Sequence, residues 1–451
     1  MKHIERQGTA PVGSLLLQYS LPAVAGFLAS ALYQLVDRIL VGRGVGTEAM
    51  AAVTCAYPLT MLALGVGLLL GTGTGNQIST LLGQGNRDEA ERVLGQSLRL
   101  AAQLGGGLAL ALIVFARPLL RLCSAEGAVL EQAVPFLRIV AVGQVFLVAM
   151  VGMGNIVRVQ GRPGLSLAFM ASGNILNALL AAFAIFGLGL GVIGAALATT
   201  LSVILNFVAL VAFVQSPASH LHIRSRHLKA DPALARSILG LGAPMLFMQL
   251  LGSVVFLAAN HGAAASSGPR GVAAVGVFNT VSMLLIYPPL GVAQAMQPLV
   301  AFNRGAQKPE RVRALLGRTL ATTSLMGAAS AALVCVFPAV VAAWFTRTDT
   351  TLVALVREGL PWCMASVALF SVPATASHYY LAVQQARSAG LLLLGRQLLL
   401  IPLFLLLPLA LGFSGLYFAP VLADLPFAVF GALLMQREWR TLGAAERLAV
   451  A

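Results

Sequence analysis

The chain has 451 residues, of which 58% are hydrophobic and only 10% are charged, and its formal net charge is +14. Soluble globular domains carry about 25% charged residues and fewer apolar ones, so this composition excludes an ordinary soluble protein and indicates that lipid covers part of the apolar surface. The basic residues lie in short loops between long apolar runs and form no aromatic-rich basic module, so we expect no binding to nucleic acid.

Apolar runs recur along the chain, and each is long enough to cross about 30 Å of hydrocarbon. The first run follows Lys2 and Arg6 and is too long for a signal peptide, so we expect it to be retained as a first span. Twelve membrane-spanning helices are predicted, at residues 14–41, 50–82, 95–116, 133–156, 165–187, 192–214, 236–259, 271–302, 314–342, 353–383, 388–411 and 415–436. The predicted fold class is therefore an all-α integral membrane protein.

Lysine and arginine residues are distributed unevenly over the two sides of this topology. The side that holds both termini carries 21 of them, with Arg396 counted there, and the other side carries 8. Because short cytoplasmic loops are enriched in Lys and Arg, we expect both termini to be cytoplasmic.

The longest polar stretch, residues 215–231, separates two halves that resemble one another. Pro22 lies 222 residues before Pro244, and Gly85 lies 220 residues before Gly305. Each half has an even number of spans, so the halves are predicted to be parallel six-helix repeats about an axis along the membrane normal. The predicted regions are an N-terminal lobe (1–214), a cytoplasmic linker (215–235) and a C-terminal lobe (236–451).

Two of the 15 acidic residues, Asp37 and Asp424, fall inside apolar runs. A carboxylate at mid-span costs about 2.5–3.5 kcal/mol on insertion scales, and a bound proton or cation removes that cost. Asp37 is thus either an ion-coupling site, with Tyr33 and Gln34 as polar neighbours, or an interfacial acid paired with a nearby arginine. Asp424 either lines a substrate cavity or binds a backbone amide that the flanking prolines free.

Uncharged polar residues inside the spans form a second group of candidates. Asn174 and Asn177 are three residues apart and share a helical face, so they can offer oxygens to a cation. Interhelical hydrogen bonding is the structural alternative for every residue of this kind. The remaining candidates are Thr199 and, for a substrate cavity, Asn155, Gln249, Asn279, Gln294 and Tyr379, the last of which is alternatively an interfacial anchor.

Sequence motifs of ATP-driven pumps and hydrolases are missing from the chain. GxxxxGK[ST], HExxH and GxSxG do not occur, and the GxGxxG match at residues 189–194 joins two apolar spans, where a tight turn is expected. No cofactor or metal is therefore expected, and transport must draw on an ion gradient, worth about 2.3 kcal/mol per charge per 100 mV. An integral-membrane lipid enzyme is a remote alternative, since no acid/base or metal cluster supports it.

Six segments carry motifs of one family of transporters. They are LPAVAGFLASALYQLVDRILVGRGVG (21–46), NIVRVQGRPG (155–164), IFGLGLGVIGAALAT (185–199), QPLVAFNRGAQKPERV (297–312), RQLLLIP (396–402) and APVLADLPF (419–427). In these segments, in this order, the chain resembles the multidrug and toxic compound extrusion (MATE) family, close to its MepA-like branch.

That resemblance implies an ion-coupling site in the N-terminal lobe. Asp37 matches the acidic residue of the family's first span, Asn177 and Thr199 match polar positions of the same site, and Tyr33 belongs to that cluster. The family commonly has an aspartate four residues after the matched asparagine, where this chain has Ala181. With one carboxylate left, protons are favoured over a sodium cage, which takes several oxygens.

The resemblance also implies a function. We expect a monomeric efflux antiporter of the cell inner (plasma) membrane that exports small organic, often cationic, compounds in exchange for H⁺ or Na⁺. Membrane lipid is its surroundings, and the first span is expected to bend or repack at a hinge near Pro22. The alternative within transport is an exporter or flippase of a lipid-linked or amphiphilic metabolite.

Overall fold

The computed structural model describes residues 2–123, 125–345 and 350–450. Within its helices, the side chains left undescribed are those of residues 2, 34, 35, 37–39, 41–43, 47, 342–345, 445 and 447–450. The α-helices are α1 (Lys2–Thr9), α2 (Val12–Gly44), α3 (Thr47–Gly83), α4 (Arg87–Val114), α5 (Ala116–Leu122), α6 (Gly127–Val159), α7 (Pro163–Ala182), α8 (Gly191–Gln215), α9 (Pro232–Gly305), α10 (Pro309–Val336), α11 (Pro338–Phe345), α12 (Thr350–Ala382), α13 (Ala386–Leu411) and α14 (Ser414–Val450). A π-helical turn, Phe183–Gly187, follows α7, and a 3₁₀ turn, Ser225–Leu228, lies in the linker.

Eleven of the described helices are long and apolar enough to cross a membrane. One of them, α9, has 74 residues and contains a break in which Ser267 and Gly268 leave helical geometry, with φ of −144° and +57°. The positive φ is one that glycine adopts without strain. The break lies between the predicted spans 236–259 and 271–302, so α9 supplies two spans and the predicted twelve are confirmed.

The chain packs into two compact units, and neither is a continuous stretch of sequence. Unit 1 comprises Met1–Thr9 and Ala25–Gln249, and unit 2 comprises Ala10–Val24 and Leu250–Ala451. Both α2 and α9 are therefore divided, each near its first third. The lobes predicted at 1–214 and 236–451, with their linker, stay a prediction, because packing alone does not say which segments move together.

The internal repeat is visible in where the helices begin. The starts of α10 and α11 follow those of α4 and α5 by 222 residues, and the starts of α12, α13 and α14 follow those of α6, α7 and α8 by 223. The turns that end two helices repeat at the same intervals: Gly85 and Gly161, both at positive φ, correspond to Gln307 and Gln384, which are also at positive φ. A residue of one half is thus matched to one of the other by adding 222 or 223.

Small residues let the divided helices pack closely within each unit. In unit 1, a Cβ on Gly73 would lie 2.2 Å from the carbonyl oxygen of Ile238, and one on Gly242 would lie 1.9 Å from that of Leu69. In unit 2, a Cβ on Gly291 would lie 2.7 Å from Val24. Such contacts between backbones are the usual way in which spans associate without a hydrophobic driving force.

Candidate functional site

Helix α2 runs beside α7 in the same direction. Near one end, the Ser30 hydroxyl lies 3.8 Å from the Met170 sulfur. Near the other, a Cβ on Gly44 would lie 2.2 Å from Ile185. Both helices rise about 1.5 Å per residue, so a backbone position midway along α2 lies level with one midway along this part of α7.

Asp37 occupies that midway position. It is seven residues after Ser30 and seven before Gly44, and Asn177 is seven residues after Met170. The backbone thus places residue 37 at the level of Asn177. The side chains of Asp37 and of Gln34 lie outside the described residues, so their roles stay predictions.

A chain of hydrogen bonds joins α7 to α8 at this level. Asn177, which is 4% exposed, donates from Nδ2 to the Ser202 hydroxyl at 3.2 Å. That hydroxyl donates in turn to the carbonyl oxygen of Thr199 at 2.9 Å. Because the Ser202 proton is used, its oxygen must accept, and this fixes the orientation of the Asn177 amide.

The Asn177 carbonyl oxygen, Oδ1, is buried and has no hydrogen-bond partner among the described residues. A buried polar atom without a partner costs about 1–3 kcal/mol, so it marks a place where a donor or cation is expected. One turn earlier, Asn174 has a buried Nδ2 in the same condition. Tyr33 is half-buried on α2, and Thr199 bonds its own helix at Ala195.

Ala181 lies in an apolar cluster at the outer end of this site. It is 1% exposed and packs in one cluster with residues of the π-helical turn and of α8, including Ile185 and Ala198, and with Leu40 of α2. A carboxylate at this position would stand among methyl groups, and the chain has instead filled the position with one of its smallest apolar residues.

Asp424 lies in a different and self-contained arrangement in unit 2. Its carboxylate is fully buried and forms an ion pair with Arg396 of α13, which donates to it from Nε and, at 3.1 Å, from Nη2. Ser366 of α12 donates to the same carboxylate, and the Arg396 guanidinium lies 4.6 Å from the ring of Phe370. The pair joins three helices.

Sequence reasoning missed Arg396 as the partner of this acid. It was counted among the loop residues of one side, but it lies ten residues inside α13, where its side chain is 14% exposed. It therefore carries no topology signal. The signal that was available is a single arginine inside an apolar run, which needs a buried counter-ion.

The other candidates are distributed over both units. Asn155 packs in the α3–α6 contact, 2.5 Å from where a Cβ of Gly71 would be, and Gln249 lies 3.8 Å from the Met61 sulfur, both in unit 1. The rest are in unit 2: Asn279 is exposed, Gln294 is half-buried, Pro22 lies inside α2, and Tyr379 is buried and donates to Glu438 at 3.3 Å. A common substrate cavity stays a prediction.

The linker docks on α4 through charged groups. Glu91, which is buried, lies 3.1 Å from Arg87 and 2.6 Å from Arg224. Ligand atoms of Asp88, Glu91 and His227 lie within 4.8 Å of one another. That spacing suits a metal ion, but the arginines already neutralise the carboxylates, so ion pairing accounts for the group.

The carboxylate of Asp231 ends this docked segment. It accepts a hydrogen bond from the backbone N–H of Leu234 at 3.0 Å and lies 2.7 Å from Arg92. These two groups, the amide first, hold the pKa of Asp231 below its usual range. Asp231 therefore caps the start of α9 in its charged form.

Comparisons with known proteins agree with this fold and its duplication. The MatE family model matches residues 22–183 and again 244–406. The chain is 24% identical over 412 residues to the multidrug export protein MepA of Staphylococcus haemolyticus, which covers 91% of this chain and 90% of that one. It is 23% identical over 435 residues to MepA of Staphylococcus aureus, at 94% of both.

Two solved structures share the fold. One is an outward-facing multidrug resistance MATE family transporter of the MOP superfamily, with a TM-score of 0.90, 24% identity and coverage of 98% of this chain and 99% of that one. The other is a MOP superfamily transporter from Pyrococcus furiosus, with a TM-score of 0.87, 24% identity and the same coverage. Since the two MatE matches cover most of the chain, this protein belongs to the MatE family of membrane transporters, as its motifs predicted.

Proposed function

We propose that this protein is an efflux antiporter that exports small organic, often cationic, compounds in exchange for protons, with coupling at Asp37. The observation that carries the proposal is the unpartnered Oδ1 of Asn177, level with residue 37 on the neighbouring helix. A protonated carboxyl has an O–H that can donate to such an oxygen, whereas a carboxylate has none. The site therefore favours one protonation state of a nearby acid.

The exchange follows from competition for one group. When Asp37 is protonated, its O–H satisfies Asn177 and the negative charge that would hold a cation is removed. When the proton leaves towards the cytoplasm, the carboxylate again offers a counter-charge to a cationic compound, which offsets the cost of a naked charge in a span. Pro22 interrupts α2 just before the helix passes from unit 2 to unit 1 and is the proposed hinge.

Protons suit this site better than sodium. A caged metal cation takes several oxygen ligands, and the position of a second carboxylate is occupied by buried Ala181. Among the described side chains of this site, Thr199 already bonds Ala195 and Ser202 already bonds Thr199. Asn177 Oδ1 is the side-chain oxygen left over.

Substrate class and topology rest on separate support. The relatives named above are multidrug export proteins of bacteria, and a single acid in the site favours cations. Without Arg396, the count of basic residues is 20 against 8, which still supports cytoplasmic termini in the plasma membrane.

Transport in proteoliposomes tests the proposal. The full chain is reconstituted with a cationic dye, and flux is measured under an imposed pH gradient and then under a sodium gradient. We expect flux with the pH gradient alone, and we expect Asp37→Asn to abolish it. Asp88→Asn is the matched control, since Asp88 is an exposed loop acid whose salt bridge is worth at most about 1 kcal/mol.

Two results would overturn the proposal. One is dye export by Asp37→Asn at the wild-type rate with unchanged pH dependence. The other is wild-type flux that follows the sodium gradient and ignores the pH gradient. Lipid translocation without any dye flux would favour the flippase alternative.

A further inference from the structure

A pocket of about 310 Å³ opens in unit 2 at the level where α9 ends and α10 begins. Its lining includes two basic residues, Arg304 and Lys308, and two residues joined by a hydrogen bond, Tyr379 and Glu438. The volume is at the lower limit of small-molecule sites, which are about 300–1,000 Å³. Neither the ion-coupling site nor the transport mechanism uses this pocket.

The same place in unit 1 is filled. Tyr379 and Val312 of the pocket correspond to Ile156 and Ala90, and these two pack in one cluster with Leu221, which is fully buried. Leu221 belongs to the linker, which folds back after α8 ends at Gln215. The linker therefore closes the slot in unit 1 with an apolar side chain.

Linker hydrogen bonds hold that closure in place. Gln160, the counterpart of the pocket residue Val383, accepts from the Ser219 hydroxyl at 3.0 Å and from the His220 backbone N–H at 2.7 Å. Helix α1 seats against the same turn, since the carbonyl oxygen of His3 would lie 2.5 Å from a Cβ on Gly161.

Unit 2 lacks this closure because its last helix does not stop. Glu438 is the counterpart of Gln215, where α8 ends, but α14 continues to Val450. The chain cannot fold back into the slot, and the slot remains open. Its lining has also changed: Tyr379 and Glu438 stand in place of Ile156 and Gln215, so this opening is built for a polar occupant.

The charges indicate which one. Lys308 provides a compact ammonium that suits a phosphate, and Arg304, which also bonds the Val383 carbonyl, provides a second cation. Glu438 accepts one hydrogen bond from Tyr379 at 3.3 Å and keeps acceptor capacity for an ammonium. Basic pockets between spans, at the level of the headgroups, bind phospholipids.

We propose that this pocket binds the phosphoethanolamine headgroup of a membrane phospholipid, with Arg304 and Lys308 on the phosphate and Glu438 on the primary ammonium. The chain would then use a lipid to close in unit 2 the slot that the linker closes in unit 1. This binding is separate from the proposed transport and holds or fails independently of it.

Binding of lipids with matched acyl chains to the purified full chain tests the assignment. Dihexanoyl phosphatidylethanolamine, phosphatidylcholine and phosphatidylglycerol are titrated in detergent and followed by native mass spectrometry. The choline headgroup keeps the phosphate but has no N–H, and the glycerol headgroup has no cation. We expect phosphatidylethanolamine to bind about tenfold more tightly than the other two, the worth of one charge-assisted hydrogen bond.

Single variants separate the two charges. Lys308→Gln is expected to weaken phosphatidylethanolamine and phosphatidylcholine alike by about tenfold. Glu438→Gln should lower phosphatidylethanolamine to the level of phosphatidylcholine and leave the latter unchanged. Lys229→Gln, which removes an exposed lysine of the linker, is the matched control and should change nothing.

Equal affinity of the wild type for the three lipids would overturn the proposal, as would equal behaviour of Lys308→Gln and Lys229→Gln. The source of the headgroup is tested with soluble glycerophosphoethanolamine. Because acyl chains add affinity, it should compete at least about tenfold more weakly than the lipid, and equal competition would overturn a membrane source.

Discussion

The two halves of the repeat bury polar groups in opposite ways. In unit 1, Asn177 is buried with a free-standing carbonyl oxygen, at the level of an acid on α2. In unit 2, Asp424 is buried with Arg396 and Ser366, and these donors satisfy both of its oxygens. One site is left waiting for a donor, and the other is complete.

The repeat makes this difference sharper, because each polar group faces an apolar counterpart. Asn177 corresponds to Leu400, and Asp424 corresponds to Leu201. Arg396 corresponds to Gly173. A duplicated backbone therefore fixes where helices meet and leaves each half free to choose its buried chemistry. An exchangeable group is expected where a polar atom lacks a partner, and a structural one where every partner is present.

The largest effect is expected from breaking the complete site. Arg396→Met leaves the Asp424 carboxylate buried without its counter-ion, which costs about 3–5 kcal/mol. We expect a large fall in the thermal unfolding temperature of the purified protein, smaller at low pH, where the carboxyl is neutral.

The double variant Arg396→Met/Asp424→Leu is the control for that result. It installs at residue 424 the leucine that unit 1 has at residue 201 and removes both charges, so stability should return to near the wild-type level. If the double variant is as unstable as the single one, packing of the arginine on Phe370 matters more than its charge.

The next effect compares the filled slot with the open one. Leu221→Ala removes a fully buried side chain from unit 1, which costs about 2–5 kcal/mol. Leu442→Ala removes the same atoms from the rim of the pocket in unit 2, where the side chain is half-buried, and should cost less than half as much. Equal losses in thermal unfolding would mean that the linker does not close its slot.

Restoring an acid at residue 181 gives a further comparison. Ala181→Asp places a carboxyl in an apolar cluster, at a cost of about 2.5–3.5 kcal/mol when it is charged. Burial favours the protonated form, so the loss of stability should grow as the pH rises from 5 to 8. Ala181→Asn, of the same size and without charge, should show no such pH dependence in thermal unfolding.

Sequence reasoning reached the fold and stopped short of the site. Span length, the basic-residue asymmetry and the repeat predicted twelve helices, because each depends on hydropathy or charge along the chain. The pairing of Asp424 with Arg396 depends on three helices meeting, which no pattern in one segment records. Asn177 was found through its motif, but the free valence of its oxygen follows from Ser202, whose proton is taken by Thr199.

The smallest effect expected is also the most specific to the incomplete site. Asn177→Leu installs the residue that unit 2 has at residue 400 and removes the oxygen that accepts from a protonated Asp37. One hydrogen bond is worth about 1 kcal/mol, so the protonated form loses that support and the pH of half-maximal dye transport should fall by about 0.5–1 unit.

Asn279→Leu, at an exposed position of unit 2, is its control and should leave the pH of half-maximal transport unchanged. Thermal unfolding separates this effect from a packing defect, since removing an unpartnered polar atom from a buried position costs little or stabilises. A variant that unfolds earlier, with an unchanged pH of half-maximal transport, would assign Asn177 to packing between α7 and α8 and leave the proton at Asp37 without its acceptor.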